Sequence, residues 1–144
     1  MKRMLVVAVV LVLATVLLAS PAGSVVRAES VDRIVTFPDE AHMDACRLIE
    51  SATTSILFTI YDFSDPRIED ALADAAARGV AVKVMVDPGE RLALTDSKGI
   101  VADLVRAGIT VRSANPAYRI THAKYFVVDG ESAYISGNKF TYAD

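Results

Sequence analysis

The sequence has a single cysteine, Cys46, and only two histidines, His42 and His122. One cysteine excludes an internal disulfide and a thiolate-rich metal site. Cys46 is expected to be a buried spectator thiol, with a Cys46–Cys46 bridge between chains as the alternative. No internal repeat is present, and no low-complexity tract follows residue 28. Acidic residues are missing from the first 28 positions, which carry Lys2, Arg3 and Arg27. The other 116 residues hold 12 basic and 18 acidic groups. That acidic balance argues against a generally basic nucleic-acid coat protein. The length suits one domain with one core.

The apolar run Met4–Ala19, broken only by Thr15, has 16 residues. As a helix it reaches about 24 Å, short of the ~30 Å apolar slab of a membrane. Lys2 and Arg3 before it, and Pro21 and Gly23 after it, give the layout of a secretory signal. Val26-Arg27-Ala28 offers cleavage before Glu29, and Ala22-Gly23-Ser24 offers a second site. Residues 1–28 are therefore expected to be a signal peptide or an N-terminal membrane anchor, and 29–144 the folded domain. In both cases the basic end stays inside. The domain is then secreted, periplasmic or on the outer face of the membrane, and touches the membrane only through an uncleaved 1–28.

Periodicity alternates between strand and helix along the domain. Val31–Phe37 is a short β-rich run. After Pro38 and Asp39, the stripe Ala41, Ala45, Leu48, Ile49 and Ala52 predicts a helix. Ser55–Tyr61 predicts a buried strand. Asp65 is placed as an N-cap with Pro66 at the first helical position, and Gly79 ends that helix. Val80–Val86 alternates at strand period, and Asp87-Pro88-Gly89 marks a turn. A third helix is predicted over Gly99–Ala107 and a short strand over Ile109–Arg112. Ala123–Val128 and Ser132–Ser136 read as strands joined at Asp129-Gly130, a hairpin signal. This order implies an α/β sandwich with a mixed, largely parallel sheet and helices on both faces.

Charge is uneven along the chain. Residues 29–96 carry six basic and fourteen acidic groups, whereas 97–127 carry Lys98, Arg106, Arg112, Arg119 and Lys124 against Asp103 alone. The positive stretch leads into His122-Ala-Lys124. Two residues apart on a strand, His122 and Lys124 point to one face. A fixed cation favours the neutral, nucleophilic form of a neighbouring imidazole. It would also hold a phosphate against the ring. The pair suits attack on phosphorus and not a zinc site, since a lysine repels the metal and no further ligand stands at the required spacing. His42, with Asp44 two residues on, is expected to be an ordinary surface residue.

The segment His122-Ala-Lys124 … Asp129 … Ser136-Gly137-Asn138-Lys139-Phe140-Thr141 resembles the HKD signature of the phospholipase D superfamily. That signature reads His-x-Lys, four residues, Asp, six residues, then Gly-Ser-x-Asn. Thr54-Ser55-Ile56 into Tyr61, Pro66–Ala75, Arg78–Val84, Asp87 and Ala107-Gly108-Ile109 are similar in kind and spacing. The resemblance spans about Val31–Thr141 and is greatest to the small, secreted, single-motif endonucleases. It implies phosphodiester cleavage with no cofactor and no metal, through a phosphohistidine. His122 would be the nucleophile, Lys124 the ligand of the nonbridging oxygens, and Asp129 a supporting catalytic residue. Ser136 or Asn138 would cradle the phosphate.

With one HKD motif per chain, the second catalytic histidine must come from another copy, so a homodimer sharing one active site is implied. The sequence departs from the signature where Ser136 and Gly137 swap the Gly-Ser order and Lys139 stands at the Asn position. A bulge at Gly137 would restore Asn138, or Lys139 supplies a cation instead. Only three residues follow Thr141, where the family adds a strand and a helix, so the domain reads as C-terminally truncated or as leaving a sheet edge for a partner. The substrate expected is nucleic acid, DNA or RNA. The alternatives are membrane phospholipid head groups and a degenerate, non-catalytic phosphate-binding module.

Overall fold

The computed structural model describes residues 33–36, 40–62, 64–87 and 97–140. Nearly all of them fall in one compact unit, Ile34–Asp144. The expectations for residues 1–28, for Pro38-Asp39 and for Thr141 lie outside the described residues.

Among the described residues eight elements follow in order: α1 (Ala41–Glu50), β1 (Ser55–Ile60), α2 (Pro66–Ala77), β2 (Ala81–Val86), α3 (Ser97–Arg106), β3 (Thr110–Ser113), β4 (Lys124–Val128) and β5 (Ser132–Ile135). The strands form one sheet in the order β3-β2-β1-β4-β5. β1, β2 and β3 run parallel, with Ile60 beside Val86 and Val86 beside Ser113. β4 is antiparallel to β1, with Lys124 beside Ile60, and β5 is antiparallel to β4. The mixed, largely parallel sheet expected from the pattern is therefore present. Residues 33–36 are not a strand, and Ile34 is 94% exposed. A β-rich run alone does not make a strand without a partner and a buried face.

One face of the sheet carries Ile56, Phe58, Ile60, Val82, Val84, Val86, Phe126 and Val128, all buried. They share a core with Ala45 and Ile49 of α1, Ile68, Ala71, Leu72 and Ala75 of α2, and Ile100 and Leu104 of α3. The other face leaves Leu57 50% exposed, with Met85 and Tyr125 also open. The expectation of helices on both faces is thus corrected: among the described residues the helices cover one. The reason is legible in β2, where buried valines alternate with exposed Ala81, Lys83 and Met85. A strand covered on both faces would be apolar throughout.

Local signals explain the helix ends. Asp65 is the N-cap of α2 and accepts the backbone N–H of Arg67 at 3.0 Å. At the other end Val80 N–H reaches Ala75 O and Gly79 N–H reaches Ala76 O. That paired closure needs a left-handed residue, supplied by Gly79 at φ 92°.

A cluster of rings locks the last segment onto the sheet. Phe140 is fully buried against Phe58, Phe126 and Tyr134. Its backbone carbonyl accepts from Ser64 N–H and Asp65 N–H at 2.9 and 3.0 Å. Phe140→Ala is expected to lower stability by about 3–5 kcal/mol, because the void cannot collapse among three rings. Urea unfolding checks this. A loss below about 1 kcal/mol would mean that the ring is not part of the core.

Candidate active site

In an open α/β sheet a ligand site forms beyond the carboxyl ends of the parallel strands, where strand order reverses. Here that point is the β1–β4 boundary. β1 leads out into Tyr61 and Asp62, and β2 into Asp87. β4, running the other way, begins there. Three backbone contacts fix the approach to β4. Thr121 N–H donates to the buried Asp87 carboxylate at 2.5 Å, Tyr61 N–H donates to Ala123 O at 2.8 Å, and Ser136 N–H donates to Lys124 O at 2.9 Å.

His122 and Lys124 meet at this end. Lys124 Nζ lies 3.1 Å from His122 Nε2 and 3.3 Å from His122 O. His122 stands in the loop before β4 and not on the strand, and it is exposed, whereas Lys124 is only 7% exposed. An ammonium can only donate, so the contact requires a lone pair on Nε2 and therefore a proton on Nδ1. The imidazole is thus held in the tautomer whose free nitrogen can attack. Burial, and then the neighbouring Lys139, push the Lys124 ammonium below its ordinary value.

Tyr61 organises the cluster. Its ring stands edge-to-face with His122 at 4.7 Å between centroids. Lys124 Nζ lies 5.7 Å and Lys139 Nζ 5.9 Å from the same ring centroid, both within cation–π range. Lys139 Nζ also donates to Asp62 Oδ2 at 2.7 Å, and Asp62 is only 6% exposed. Two ammonium groups and an imidazole therefore gather around one aromatic ring. Such a constellation can hold an anionic phosphorus centre against a nucleophilic nitrogen.

The remaining candidates are placed differently. Ser136 Oγ donates to Asn138 O at 2.7 Å and accepts Asn138 N–H at 3.0 Å, so its hydroxyl closes a turn. Asn138 is exposed, and Lys139 is the residue of this segment that reaches the cluster.

Asp129, expected as catalytic support, sits at the opposite end of β4, about 16 Å from Lys124 at strand rise. It occupies the hairpin turn, where Asp129 and Gly130 both have positive φ (55° and 73°) and Glu131 N–H closes on Val128 O. Its carboxylate accepts the backbone N–H of Thr53, Thr54 and Ser55 and the hydroxyls of Thr53 and Thr54, at 2.8 to 2.9 Å. It fastens the hairpin to the entry of β1 and does not touch the site.

The N–H groups of Ser55, Thr54 and Thr53 hold this carboxyl far below the usual carboxylate range. A carboxyl depressed on folding stabilises the fold above its unfolded pKa and loses that contribution as pH falls through the folded value. Asp129→Ala is therefore expected to lower the melting temperature by several degrees at neutral pH. The gap to the parent should narrow in strong acid. A gap that stays constant with pH would show that the charge is not what matters.

His42 also departs from expectation. It is not a surface residue: its side chain is 12% exposed and Nδ1 lies 2.5 Å from Oδ2 of the fully buried Asp65. Arg67 pairs with the same carboxylate through Nε and a terminal nitrogen, at 3.0 and 2.9 Å. Although burial opposes it, the Arg67 hydrogen bonds bring the Asp65 carboxyl below its ordinary value. Cys46 is half-buried, and burial followed by Asp65 and Glu50 pushes its thiol up, so it is poorly suited to act as a thiolate. The sequence assigns no site role to Tyr61, Asp62 or Asp87; their positions after strands, and for Tyr61 and Asp87 the resemblance in spacing, are the signals that mark them.

The family model described as "Cardiolipin synthase, PLD-like domain" matches residues 45–143. The chain is similar to a mitochondrial cardiolipin hydrolase of Danio rerio, 33% identical over 105 residues. That match covers 71% of this chain and 44% of the relative. It is also similar to a phospholipase D of Rickettsia bellii, 35% identical over 95 residues, covering 66% of this chain and 45% of the relative. Thus the matched part spans less than half the length of these curated relatives. Among solved structures, Nuc of Salmonella typhimurium, a phospholipase D family member, superposes with TM-score 0.61 and 30% identity, covering 70% of this chain and 65% of that one.

Proposed function

Because the chain belongs to the phospholipase D superfamily, we propose that it is a metal-independent phosphodiesterase working through a phosphohistidine, and that its substrate is DNA or RNA outside the cytoplasm. The observation that carries the chemistry is the 3.1 Å contact between Lys124 Nζ and His122 Nε2, with Lys139 over the same tyrosine ring.

When a phosphodiester enters, its nonbridging oxygens take over the ammonium hydrogens of Lys124 and Lys139, and the Nε2 lone pair is released. Nε2 then attacks phosphorus, and the bond to the leaving oxygen breaks. That oxygen takes a proton from a second imidazole, which enters the step as an imidazolium. The same imidazole next removes a proton from water, whose oxygen attacks phosphorus and displaces Nε2. A phosphomonoester and the free His122 ring result.

His42 is engaged with Asp65, so the second imidazole is assigned to His122 of another copy across a two-fold axis. Sedimentation of the active protein checks the dimer. Activity in a monomer would overturn the shared site.

Exposed His122 and exposed Arg119, three residues before it, support an extended polyanion as substrate. A lipid phosphodiester is the second reading, favoured by the names of the two curated relatives. The test is incubation with plasmid and single-stranded DNA in EDTA, beside vesicles of phosphatidylcholine and phosphatidylethanolamine. Cutting of nucleic acid in EDTA supports the first reading. Release of choline or ethanolamine without any cutting replaces it with the second. Neither activity would leave a phosphate-binding module.

A further inference from the structure

His122 stands in the loop before β4, outside the ladder that fixes Lys124 beside Ile60. A nucleophile must nevertheless be aimed, because a reacting pair a fraction of an ångström out of line loses much of its rate. The His122 ring is exposed, so core packing does not aim it. Its backbone is held instead, by one tether on either side. Downstream, Ala123 O accepts Tyr61 N–H at 2.8 Å, a bond between two main chains. Upstream, Thr121 N–H donates to Asp87 Oδ2 at 2.5 Å, and this tether is a side chain.

Asp87 is a firm anchor. It directly follows β2, its own N–H donates to Ile60 O at 3.3 Å, and it is only 5% exposed. The same strand end holds the start of the loop, where Ala114 N–H donates to Val86 O at 2.8 Å. The loop that leads to His122 therefore leaves from Val86 and returns to Asp87. A buried carboxylate needs donors around it. A main-chain N–H that meets this need also fixes the chain that carries it.

We propose that Asp87 is a positioning residue for the nucleophile: by clamping the Thr121 peptide it sets where the His122 ring stands relative to Lys124. This rests on the phosphodiesterase reading and adds a residue to it. Lys124 and Lys139 hold the diester without the clamp, since the first is fixed by the sheet and the second by Asp62. Asp87 thus bears on the attack and not on substrate binding. What the clamp requires is an acceptor oxygen at this place, so an amide serves where a methyl does not.

The test uses the full chain and bis(4-nitrophenyl) phosphate, well below the melting temperature. Asp87→Ala is expected to lower kcat about 10²-fold with KM within about threefold of wild type. Asp87→Asn keeps an oxygen for Thr121 N–H and should keep kcat within about fivefold. Asp87→Glu moves the carboxylate outward by one methylene, and its kcat should fall at least about tenfold below that of the asparagine variant. The glutamate variant decides the matter should the alanine variant fail to fold. A lower melting temperature with kcat kept would show a role in stability alone and overturns the inference. So does a rise in KM as large as the fall in kcat, or an asparagine variant no better than alanine. In each of these cases cleavage by wild type stands. If wild type cleaves neither this diester, nucleic acid nor lipid, the phosphodiesterase reading is overturned and the inference falls with it.

Discussion

His122→Ala is expected to lower phosphodiester cleavage by at least about 10⁴-fold, with the folded state intact. The ring is exposed and makes no core contact, so its removal should leave the melting temperature within about a degree. The loss is large because, in the proposed shared site, the ring serves as the nucleophile of one copy and the acid–base group of the other. Mixing exploits this double use. Equal amounts of parent and variant, reassorted at random, should retain about a quarter of the parent activity, since only the all-parent pair has both rings. Two independent sites would leave about half. Mass spectrometry of the parent, quenched during turnover, should find a phosphate adduct on His122. An adduct elsewhere, or one half of the activity after mixing, would refute the shared centre.

Lys124→Met is expected to cost at least about 10³-fold in kcat/KM while the melting temperature holds or rises. The two effects oppose each other for a physical reason. Lys124 starts β4 on the face that also carries Phe126 and Val128, and its ammonium is nearly buried beside a second cation, Lys139. Methionine keeps most of the stem's packing and removes the buried charge, which relieves desolvation and repulsion. Activity falls because the nonbridging oxygens lose their innermost donor and the imidazole loses the hydrogen bond that fixes its tautomer. Lys124→Arg should not rescue it, since a planar guanidinium does not reproduce the point contact that the ammonium makes with His122 Nε2 at 3.1 Å. Rescue by arginine, or a fall of many degrees in the melting temperature, would show that the lysine is structural.

Much of this arrangement can be read along the chain, and the rest cannot for identifiable reasons. The strands, the Asp65 and Gly79 helix ends and the Asp129-Gly130 hairpin are local signals, complete within a few residues. His122 and Lys124 are two residues apart, so their encounter is local too. The partners of Lys139 are not: Asp62 stands 77 positions away, and only the register of β1 against β4 and β5 brings them together. Asp129 shows the opposite limit. Its spacing marks it as part of the motif, but spacing along a strand also carries it to the wrong end of the sheet. His42 was misjudged because its partner, Asp65, lies on the cap of another helix. The second face of the sheet was misjudged because fold-level order does not say which face a helix covers, whereas the alternation in β2 does.

The position of β1 in the sheet bears on how the chain becomes active. Its two neighbours come from distant stretches: β2 follows after one helix, but β4 does not begin until Lys124. During synthesis or refolding, the parallel β1–α2–β2 unit can close early, with one edge of β1 bare. Late-arriving contacts of this kind slow folding and expose an edge that pairs readily with other chains. The strand that finally covers it is the one that begins with Lys124, the lysine proposed to bind phosphate. Closure of the sheet and assembly of the proposed site are therefore coupled, and a form that leaves this edge of β1 bare would lack the proposed site.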